Sequence, residues 1–253
     1  MLMDELHEAV RNRQLYFMYQ PQFEASGKCI GAEALIRWNH PIAGMIYPPL
    51  IILLAKRGNF LSEIEYQIFD MACEAIKKID GITKEPFKIS VNITAKSLRW
   101  DGLEDCIQNA VERYGISPEK LWVEVTEQDI LAKTEEVNRK IRSIREKGHK
   151  FLIDDFGVGK TSILYLQTKM FDGVKIDGFL TKTLLTDNVS RQIVTSVIDL
   201  SNKLGMCVIA EFVERKEECD LLDELGCTWY QGYYFSKPVM FEQFEKIMKA
   251  GKV

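Results

Sequence analysis

Oxygen-rich side chains stand at the ends of several apolar runs in this sequence. Asp154 and Asp155 follow the run KFLI, and adjacent carboxylates repel each other unless a cation lies between them. Glu33, Asn92 and Glu124 belong to other apolar runs and would add hard oxygen ligands, which suit Mg²⁺ or Mn²⁺ rather than a soft metal. Two adjacent aspartates can serve two ions, as in two-metal phosphodiester hydrolysis. The pattern therefore predicts a divalent-metal centre if the fold brings these residues together.

A different interpretation comes from the residues that follow, GVGKTS, which look like the end of a phosphate-binding P-loop. Such a loop reads G-x-x-x-x-G-K-[ST], and its first glycine would fall where Asp154 stands. Because carboxylates repel phosphate, we instead interpret Gly157 and Gly159 as glycines of a sharp turn before a helix that begins near Thr161 or Ser162. An isolated Asp-Asp pair is also typical of a solvated turn, so the metal interpretation depends on the other strand ends.

Strand-like and helix-like segments alternate along the chain, with no low-complexity linker. The candidate strands are Leu15–Gln20, Cys29–Trp38, Phe87–Thr94, Leu121–Thr126, Lys150–Asp155, Gly173–Asp177, Cys207–Glu211 and Trp229–Tyr233. Two of the intervening amphipathic helices end near Gly148 and Gly205, where a C-cap glycine belongs. Eight strands in 253 residues, alternating with helices, predict an α/β fold with a single (β/α)8 TIM-like barrel, and we expect one domain over residues 1–253. Only PQFEASGK separates the first two strands, so the first strand is expected to be antiparallel.

The chemistry of such barrels lies at the carboxyl ends of the strands. The polar residues late in the predicted strands are Glu33, Arg37, Asn92, Glu124, Asp154, Asp155, Lys175, Asp177, Glu211 and Gln231. A buried carboxylate without a partner is unfavourable, so Glu33 in an apolar strand indicates a functional role. Asn92 could instead satisfy backbone groups, and Lys175 could be a solvated strand end.

Composition narrows the classes of function. The net charge of -4 argues against broad binding to a DNA or RNA polymer, and three histidines argue against a His-rich zinc site. The six cysteines include no C-x-x-C pair, and no signal peptide or apolar run of spanning length occurs. We therefore expect free thiols, no membrane span and a cytoplasmic location.

The motifs, taken in order, resemble the EAL-domain cyclic-di-GMP phosphodiesterases of bacteria. The resemblance extends from Tyr19-Gln20-Pro21 to Ser236-Lys237-Pro238 and includes EALIRW at Glu33–Trp38, VNIT, VEVTE, DDFGVG, VKID, AEFVE and QGYYFSKP. Each motif alone is weak evidence, whereas the full series on the predicted strands is specific.

The resemblance implies a role for each matching residue. Glu33, Asn92, Glu124 and Asp154 would bind one metal, and Asp154 with Asp155 a second, both ions being Mg²⁺ or Mn²⁺. Glu211 would position the water that the metals activate, and Lys175 would orient that water or stabilise charge on the phosphate. The residues implied to contact the substrate are Gln20, Leu35, Arg37, Asp177, Gln231 and Tyr233, while Glu127 and Glu214 are implied in loop ordering and regulation.

The same resemblance implies the reaction and the partners. The expected reaction is hydrolysis of cyclic-di-GMP to linear pGpG, carried out by a homodimer. The family also allows a sensory or GGDEF domain in a longer protein, from which this chain would be a fragment.

Five positions depart from the family pattern: Lys56, Asn59, Val158, Lys160 and Phe212. None is an implied metal ligand, so metal binding should be affected least. The catalytic rate, the ordering of the loop and its coupling to the dimer interface are the properties that these departures put in question. The first alternative is therefore a catalytically weak or inactive cyclic-di-GMP receptor. A glycosidase or an enolase-type barrel is a second alternative, but a glycosidase needs no Asn, Lys and Asp pair, and an enolase-type enzyme leaves the motif series unexplained.

Overall fold

A computed structural model describes residues 2–126, 135–157, 166 and 168–251. The helices are α1 (Leu2–Arg11), α2 (Pro48–Gly58), α3 (Leu61–Asp80), α4 (Ala95–Leu98), α5 (Leu103–Tyr114), α6 (Glu135–Glu146), α7 (Gly178–Thr183), α8 (Asn188–Lys203), α9 (Lys216–Glu224) and α10 (Phe241–Ala250). The strands are β1 (Leu15–Phe23), β2 (Cys29–His40), β3 (Gly44–Ile46), β4 (Lys88–Ile93), β5 (Leu121–Thr126), β6 (Lys150–Phe156), β7 (Gly173–Ile176), β8 (Cys207–Ala210) and β9 (Trp229–Tyr230).

Eight strands form a closed ring in the order β1, β2, β4, β5, β6, β7, β8 and β9, and β9 pairs back onto β1. β1 is antiparallel to both of its neighbours, and every other neighbouring pair in the ring is parallel. β3 pairs with the end of β2 and, in the described part of the chain, with no strand of the ring besides it. The predicted TIM-like barrel with an antiparallel first strand is confirmed.

Strand alternation separates the helix-facing side of the ring from its interior. In β5, Leu121, Val123 and Val125 are fully buried under the helix layer, as expected for parallel strands covered by crossover helices. Because successive side chains point to opposite faces, Trp122 and Glu124 of the same strand point into the barrel. One apolar layer therefore holds the ring while the other face of each strand carries the polar groups.

The first hairpin differs from the prediction in its boundary. β1 continues through Pro21, which pairs with Ala32, and ends at Phe23. The turn lies between Glu24 and Lys28, whose backbone groups hydrogen-bond at 2.9 Å. The turn was predicted too early in the chain because proline, which lacks an N–H donor, usually indicates that a strand has ended.

The predicted helix ends are confirmed at Gly148 and Gly205, which have φ values of 101° and 71° and follow α6 and α8. The predicted helix start near Thr161 or Ser162 lies outside the described residues. All six cysteines are free thiols. Among the described residues, no helix is both long enough and apolar enough to cross a membrane.

Candidate active site

A buried lysine lies at the centre of the carboxyl end of the barrel. The Lys175 Nζ atom is 2.6 Å from Glu124 Oε2 and 3.0 Å from Glu33 Oε2. It is also 3.0 Å from Asp154 Oδ1 and from Glu211 Oε1. Lys175 is only 1% exposed, so this ammonium is shielded from solvent and shared among four carboxylates.

The ring order explains why residues so distant in sequence meet here. Glu33 lies on β2, Glu124 on β5, Asp154 on β6 and Lys175 on β7, while Glu211 directly follows β8. Parallel strands deliver their carboxyl ends to one edge, and each inward side chain at that edge faces the barrel axis. The fold thus brings together five of the residues that the strand-end rule singled out: Glu33, Glu124, Asp154, Lys175 and Glu211.

Glu33 is held by amides as well as by Lys175. Asn92 Nδ2 donates to Glu33 Oε1 at 2.6 Å, and Gln231 Nε2 donates to Glu33 Oε2 at 2.7 Å. Asn92 lies near the end of β4, beside Glu124 in the strand register. Donation through its nitrogen leaves its carbonyl oxygen available as a metal ligand.

Gln22 is a site residue that the sequence analysis missed. Its Nε2 atom donates to Gln231 Oε1 at 2.7 Å, and the residue is fully buried. The hydrogen bonds therefore run from Gln22 on β1 through Gln231 to Glu33 on β2. The available signal was a glutamine two positions after Gln20 on the same face of the strand, but the strand was predicted to end before it.

Asp154 and Asp155 adopt different conformations although they are adjacent. Asp155 has a φ of 55°, and its backbone N–H donates to Asp154 Oδ1 at 3.1 Å. One carboxylate oxygen from each aspartate and one from Glu211 lie within 4.8 Å of one another. The left-handed backbone at Asp155 therefore lets two neighbouring residues in the chain present their carboxylates to one place.

The pKa values at this end show an excess of negative charge. Burial raises the pKa of Glu124 to about 8, and the Glu33 carboxylate adds to the effect. Burial, with repulsion from Asp154, raises the pKa of Asp155 to about 6, and burial raises the pKa of Glu211 well above its ordinary value. The four carboxylates in turn hold the pKa of Lys175 well above its ordinary value despite its burial. One ammonium is therefore not enough positive charge for this group of acids.

These residues fit a divalent cation. Glu124 Oε1 is buried and has no hydrogen-bond partner among the described residues, so one hard oxygen is available without breaking a described contact. Carboxylate and amide oxygens are the ligands that Mg²⁺ and Mn²⁺ take in proteins. Glu33, Asn92, Glu124, Asp154 and Asp155 all carry oxygen donors of this kind, and their predicted binding of a metal stays a prediction.

Gln231 belongs to the hydrogen bonds of this cluster, and the other residues implied to contact the substrate lie around it. Gln20 pairs with Glu33 across the β1–β2 ladder, and Leu35 lines a cavity of about 110 Å³ beside Asn92. Arg37 is 5% exposed; its Nη1 donates to the Ile36 carbonyl at 2.9 Å and its guanidinium lies 5.0 Å from the centroid of the Tyr47 ring. The predicted contacts of these residues with a substrate stay predictions.

Two more implied substrate residues already have other contacts. Asp177 caps α7 by accepting the backbone N–H of Phe179 at 2.7 Å. Tyr233 is 57% exposed, and the Lys237 Nζ lies 5.4 Å from the centroid of its ring. Asp177 also lies close enough to raise the pKa of Asp155, so it borders the acidic cluster.

Of the residues implied in regulation, Glu214 is exposed and pairs with Lys182 at 3.3 Å. Glu127 lies outside the described residues, as do the two departures Val158 and Lys160. Phe212, which directly follows Glu211, has a φ of 54°, and an added Cβ at Gly178 would come within 2.3 Å of its ring. Asn59 likewise has a φ of 57°, so both departures from a usual glycine keep a left-handed backbone.

Fold and site together define a TIM-like barrel with an acidic, metal-compatible centre at the carboxyl ends of its strands. The chain belongs to the EAL domain family, whose model matches residues 3–238. It is 33% identical over 244 residues to MucR of Pseudomonas aeruginosa, a bifunctional diguanylate cyclase/cyclic di-GMP phosphodiesterase. This match covers 96% of the present chain. The chain is 32% identical over 246 residues to PdeL of Escherichia coli K12, a cyclic di-GMP phosphodiesterase, and this match also covers 96% of the present chain.

Solved structures agree with the sequence relatives. The PaMucR phosphodiesterase in complex with c-di-GMP superposes with a TM-score of 0.90 at 31% identity, over 96% of this chain and 100% of that one. The EAL enzyme Bd1971, with cAMP and cyclic-di-GMP bound, gives a TM-score of 0.91 at 28% identity over 98% of this chain and 68% of that one. The chain spans 36% of the length of MucR and 68% of that of PdeL.

Proposed function

We propose that this protein hydrolyses cyclic-di-GMP to linear pGpG with the help of two divalent cations. The observation that carries the proposal is the buried group of carboxylates around Lys175 at the carboxyl end of the barrel. Fold alone does not define a reaction, but relatives that cover nearly all of this chain are cyclic di-GMP phosphodiesterases, and one such structure holds c-di-GMP.

Charge balance supports two ions rather than one. Glu33, Glu124, Asp154, Asp155 and Glu211 bring five negative charges, and Lys175 brings one positive charge. The four negative charges that remain would be neutralised by two divalent cations. Buried charges require such compensation, and protonation of several carboxylates is the alternative. When bound, Mg²⁺ or Mn²⁺ would lower the pKa of water and stabilise negative charge on the phosphate.

The side chains of this protein would divide the remaining work. Glu33, Asn92, Glu124 and Asp154 would hold one ion, and Asp154 with Asp155 the other. Gln231, held by Gln22, would keep Glu33 in place through its 2.7 Å hydrogen bond.

Glu211 would orient the attacking water and accept a hydrogen bond from it, and Lys175 would stabilise the negative charge that develops on the phosphoryl oxygens. The water oxygen forms a bond to phosphorus while the bond from phosphorus to the 3′-oxygen breaks. The attacking water gives up one proton, and the leaving 3′-oxygen takes up one proton in exchange through solvent, which leaves a 5′-phosphate and a 3′-hydroxyl in a linear dinucleotide.

The substrate would be held around this centre by Gln20, Leu35, Arg37, Asp177, Gln231 and Tyr233. Arg37 would have to turn from the Ile36 carbonyl to present its forked donors to a phosphate. Its Nε atom is buried without a hydrogen-bond partner among the described residues, so that donor is available. Glu127 and Glu214 would act on the loop after β6 rather than on the substrate.

The proposal extends to the oligomeric state, the domain organisation and the cellular compartment of the protein. We propose a homodimer, one domain over residues 1–253, and a sensory or GGDEF domain in a longer protein. Six free thiols support a reducing compartment such as the bacterial cytoplasm.

The decisive test is incubation of the purified protein with cyclic-di-GMP and either Mg²⁺ or Mn²⁺, followed by chromatography of the products. We expect pGpG from the wild type and from Lys203→Ala, which changes an exposed residue of α8. We expect no pGpG from Glu33→Ala or Lys175→Ala, provided that circular dichroism shows a folded protein. Intact cyclic-di-GMP that is nevertheless bound would identify a receptor, and no binding at all would contradict both functions.

A further inference from the structure

A second buried lysine, Lys88, lies at the opposite end of the barrel. Lys88 is the first residue of β4, and Ser90 and Asn92 follow it on the inward face of that strand. Asn92 reaches the acidic cluster at the carboxyl end, so Lys88 lies at the amino end of the strands. Its side chain is 4% exposed.

The ammonium group of Lys88 has aromatic neighbours instead of carboxylates. Its Nζ atom lies 3.4 Å from the centroid of the Trp229 ring and 5.2 Å from that of Trp122. Within the described part of the chain, this atom has no hydrogen-bond partner and Lys88 makes no ion pair. The two tryptophan rings are 5.6 Å apart at 59° to each other.

Lys88, Trp122 and Trp229 line a cavity of about 610 Å³. That size is within the usual range for small-molecule sites, which is about 300–1,000 Å³. Phe87 and Ile30 add apolar surface to the same walls. The cavity therefore combines aromatic walls with a buried amine.

Most other charges around the cavity are already paired. Lys28 pairs with Glu85 at 2.7 Å, Lys120 pairs with Asp80, and Lys150 pairs with Asp172 at 3.1 Å.

Lys84 lines the cavity and, like Lys88, has no ion-pair partner among the described residues. The carboxylates of Glu24 and Glu119 also line it and would repel an anion placed near them. Lys84 and Lys88 are therefore the cations of the lining that, among the described residues, have no ion-pair partner and could pair with a bound anion.

A buried ammonium without an anion is unfavourable, and the aromatic rings compensate for only part of that. Burial lowers the pKa of Lys88 to about 7, although Cys207, Glu124, Cys29 and Glu24 act in the opposite direction. No hydrogen bond has to break when this side chain turns from the Trp229 ring toward the cavity. A bound anion would supply a charge-assisted hydrogen bond, and the vacated ring would offer a flat apolar surface.

We propose that this cavity is a binding site for a small aromatic anion, whose ring packs on Trp122 and Trp229 and whose carboxylate or phosphate pairs with Lys88 and Lys84. The site lies at the amino end of the barrel and is separate from the acidic cluster. It does not depend on the proposed hydrolysis. The competing explanation is that Lys88 only packs against the two tryptophan rings and stabilises the fold. That explanation predicts no binding of anions.

The test uses protein labelled with 5-fluorotryptophan, with EDTA present to keep the acidic cluster free of metal. The four tryptophan signals are assigned by Trp→Phe variants. Salicylate and adenosine 5′-monophosphate are the anionic probes, and salicylamide and adenosine are their uncharged counterparts. We expect saturable shifts of the Trp122 and Trp229 signals with one or both anions, and which of them binds distinguishes a carboxylate from a phosphate ligand.

The variants test the role of the lysine charge. Lys88→Met should weaken binding of the anion at least tenfold, about the value of one charge-assisted hydrogen bond, while Lys88→Arg should retain most of it. Lys84→Gln changes a residue at the cavity rim and should weaken binding severalfold without affecting the fold.

Three results would overturn the proposal. One is the absence of shifts at Trp122 and Trp229 with either anion up to about 10 mM. Another is equal binding of each anion and its uncharged counterpart by the wild type, a comparison that needs no variant to fold. The third is undiminished binding by a folded Lys88→Met protein.

Discussion

The two ends of this barrel each bury one lysine in a different electrostatic environment. At the carboxyl end, Lys175 contacts four carboxylates at 2.6–3.0 Å. At the amino end, Lys88 contacts two tryptophan rings and no carboxylate among the described residues. The pKa of Lys175 is held well above its ordinary value, whereas burial lowers that of Lys88 to about 7.

Burial alone therefore does not decide whether a lysine stays charged. Both side chains are almost completely shielded, so the loss of hydration opposes the charge in both cases. What differs is the presence of anions, and these reverse the direction of the shift. The carboxyl end has an excess of negative charge that calls for cations, and the amino end has positive groups that lack anions.

Removal of the shared ammonium group at the carboxyl end should destabilise the protein more than any other change considered. Lys175→Met leaves buried carboxylates without compensation, so in EDTA the free energy of unfolding should fall by about 3–5 kcal/mol. Urea denaturation followed by circular dichroism measures it. A loss below about 1 kcal/mol would mean that Lys175 does not hold the cluster together.

The matched control is the same substitution at the other end. Lys88→Met removes a buried charge that has no anion, so at pH 7 we expect a neutral or stabilising effect.

The pH dependence follows from the lowered pKa of Lys88. Between about 7 and its ordinary value of 10.5 the unfolded chain binds the proton more tightly, so stability from this residue rises with pH. The advantage of Lys88→Met should therefore shrink between pH 7 and 10, by up to about 1.4 kcal/mol per pH unit. A constant difference across that window would contradict the lowered pKa.

The excess of carboxylates at the carboxyl end should make the metal affinity depend on pH. Protons compete with the cation for Glu124 and Asp155, whose pKa values are raised to about 8 and about 6. Affinity for Mg²⁺ or Mn²⁺ should therefore rise between pH 6 and 8, by up to about tenfold per pH unit for each proton displaced. Calorimetric titration at several pH values measures it. Glu124→Gln should bind more weakly and with a shallower pH dependence, and a pH-independent affinity in the wild type would count against proton competition.

A milder change in stability is expected at the backbone beside Glu211. Phe212 has a φ of 54°, a conformation that glycine adopts more readily than other residues. Phe212→Gly relieves that strain but loses the ring packed on Gly178, while Phe212→Ala loses the ring and keeps the strain. The glycine variant should be the more stable of the two by about 1 kcal/mol in urea denaturation. Equal stabilities would show that the left-handed backbone is not strained.

The barrel and its acidic centre could be predicted because both follow from periodic patterns. Apolar runs that alternate with amphipathic helices define parallel strands, and parallel strands bring Glu33, Glu124, Asp154 and Lys175 to one edge. The hydrogen-bond partners of Glu33 were harder to predict from the sequence. Gln22 was missed because Pro21 ended the predicted strand, although the chain continues to pair beyond it.

The amino end could not be predicted for a different reason. Lys88, Trp122 and Trp229 lie on three strands, and no motif marks residues at strand beginnings as a group. A lysine at the start of a strand normally extends into solvent, and only the closed ring turns this one inward. The capping role of Asp177 is likewise a matter of local geometry, because its carboxylate can serve either a helix or a ligand.

The antiparallel first strand has a consequence for synthesis of the protein. β1 closes the ring only by pairing with β9, and the hydrogen bonds from Gln22 through Gln231 to Glu33 span that seam. A ribosome makes β1 first and residues 229–231 more than two hundred residues later. The nascent chain therefore carries an open edge, and Glu33 without its glutamine, while the rest of the barrel is translated. Completion of the site must wait for the end of the barrel, so a truncated product would lack an assembled centre.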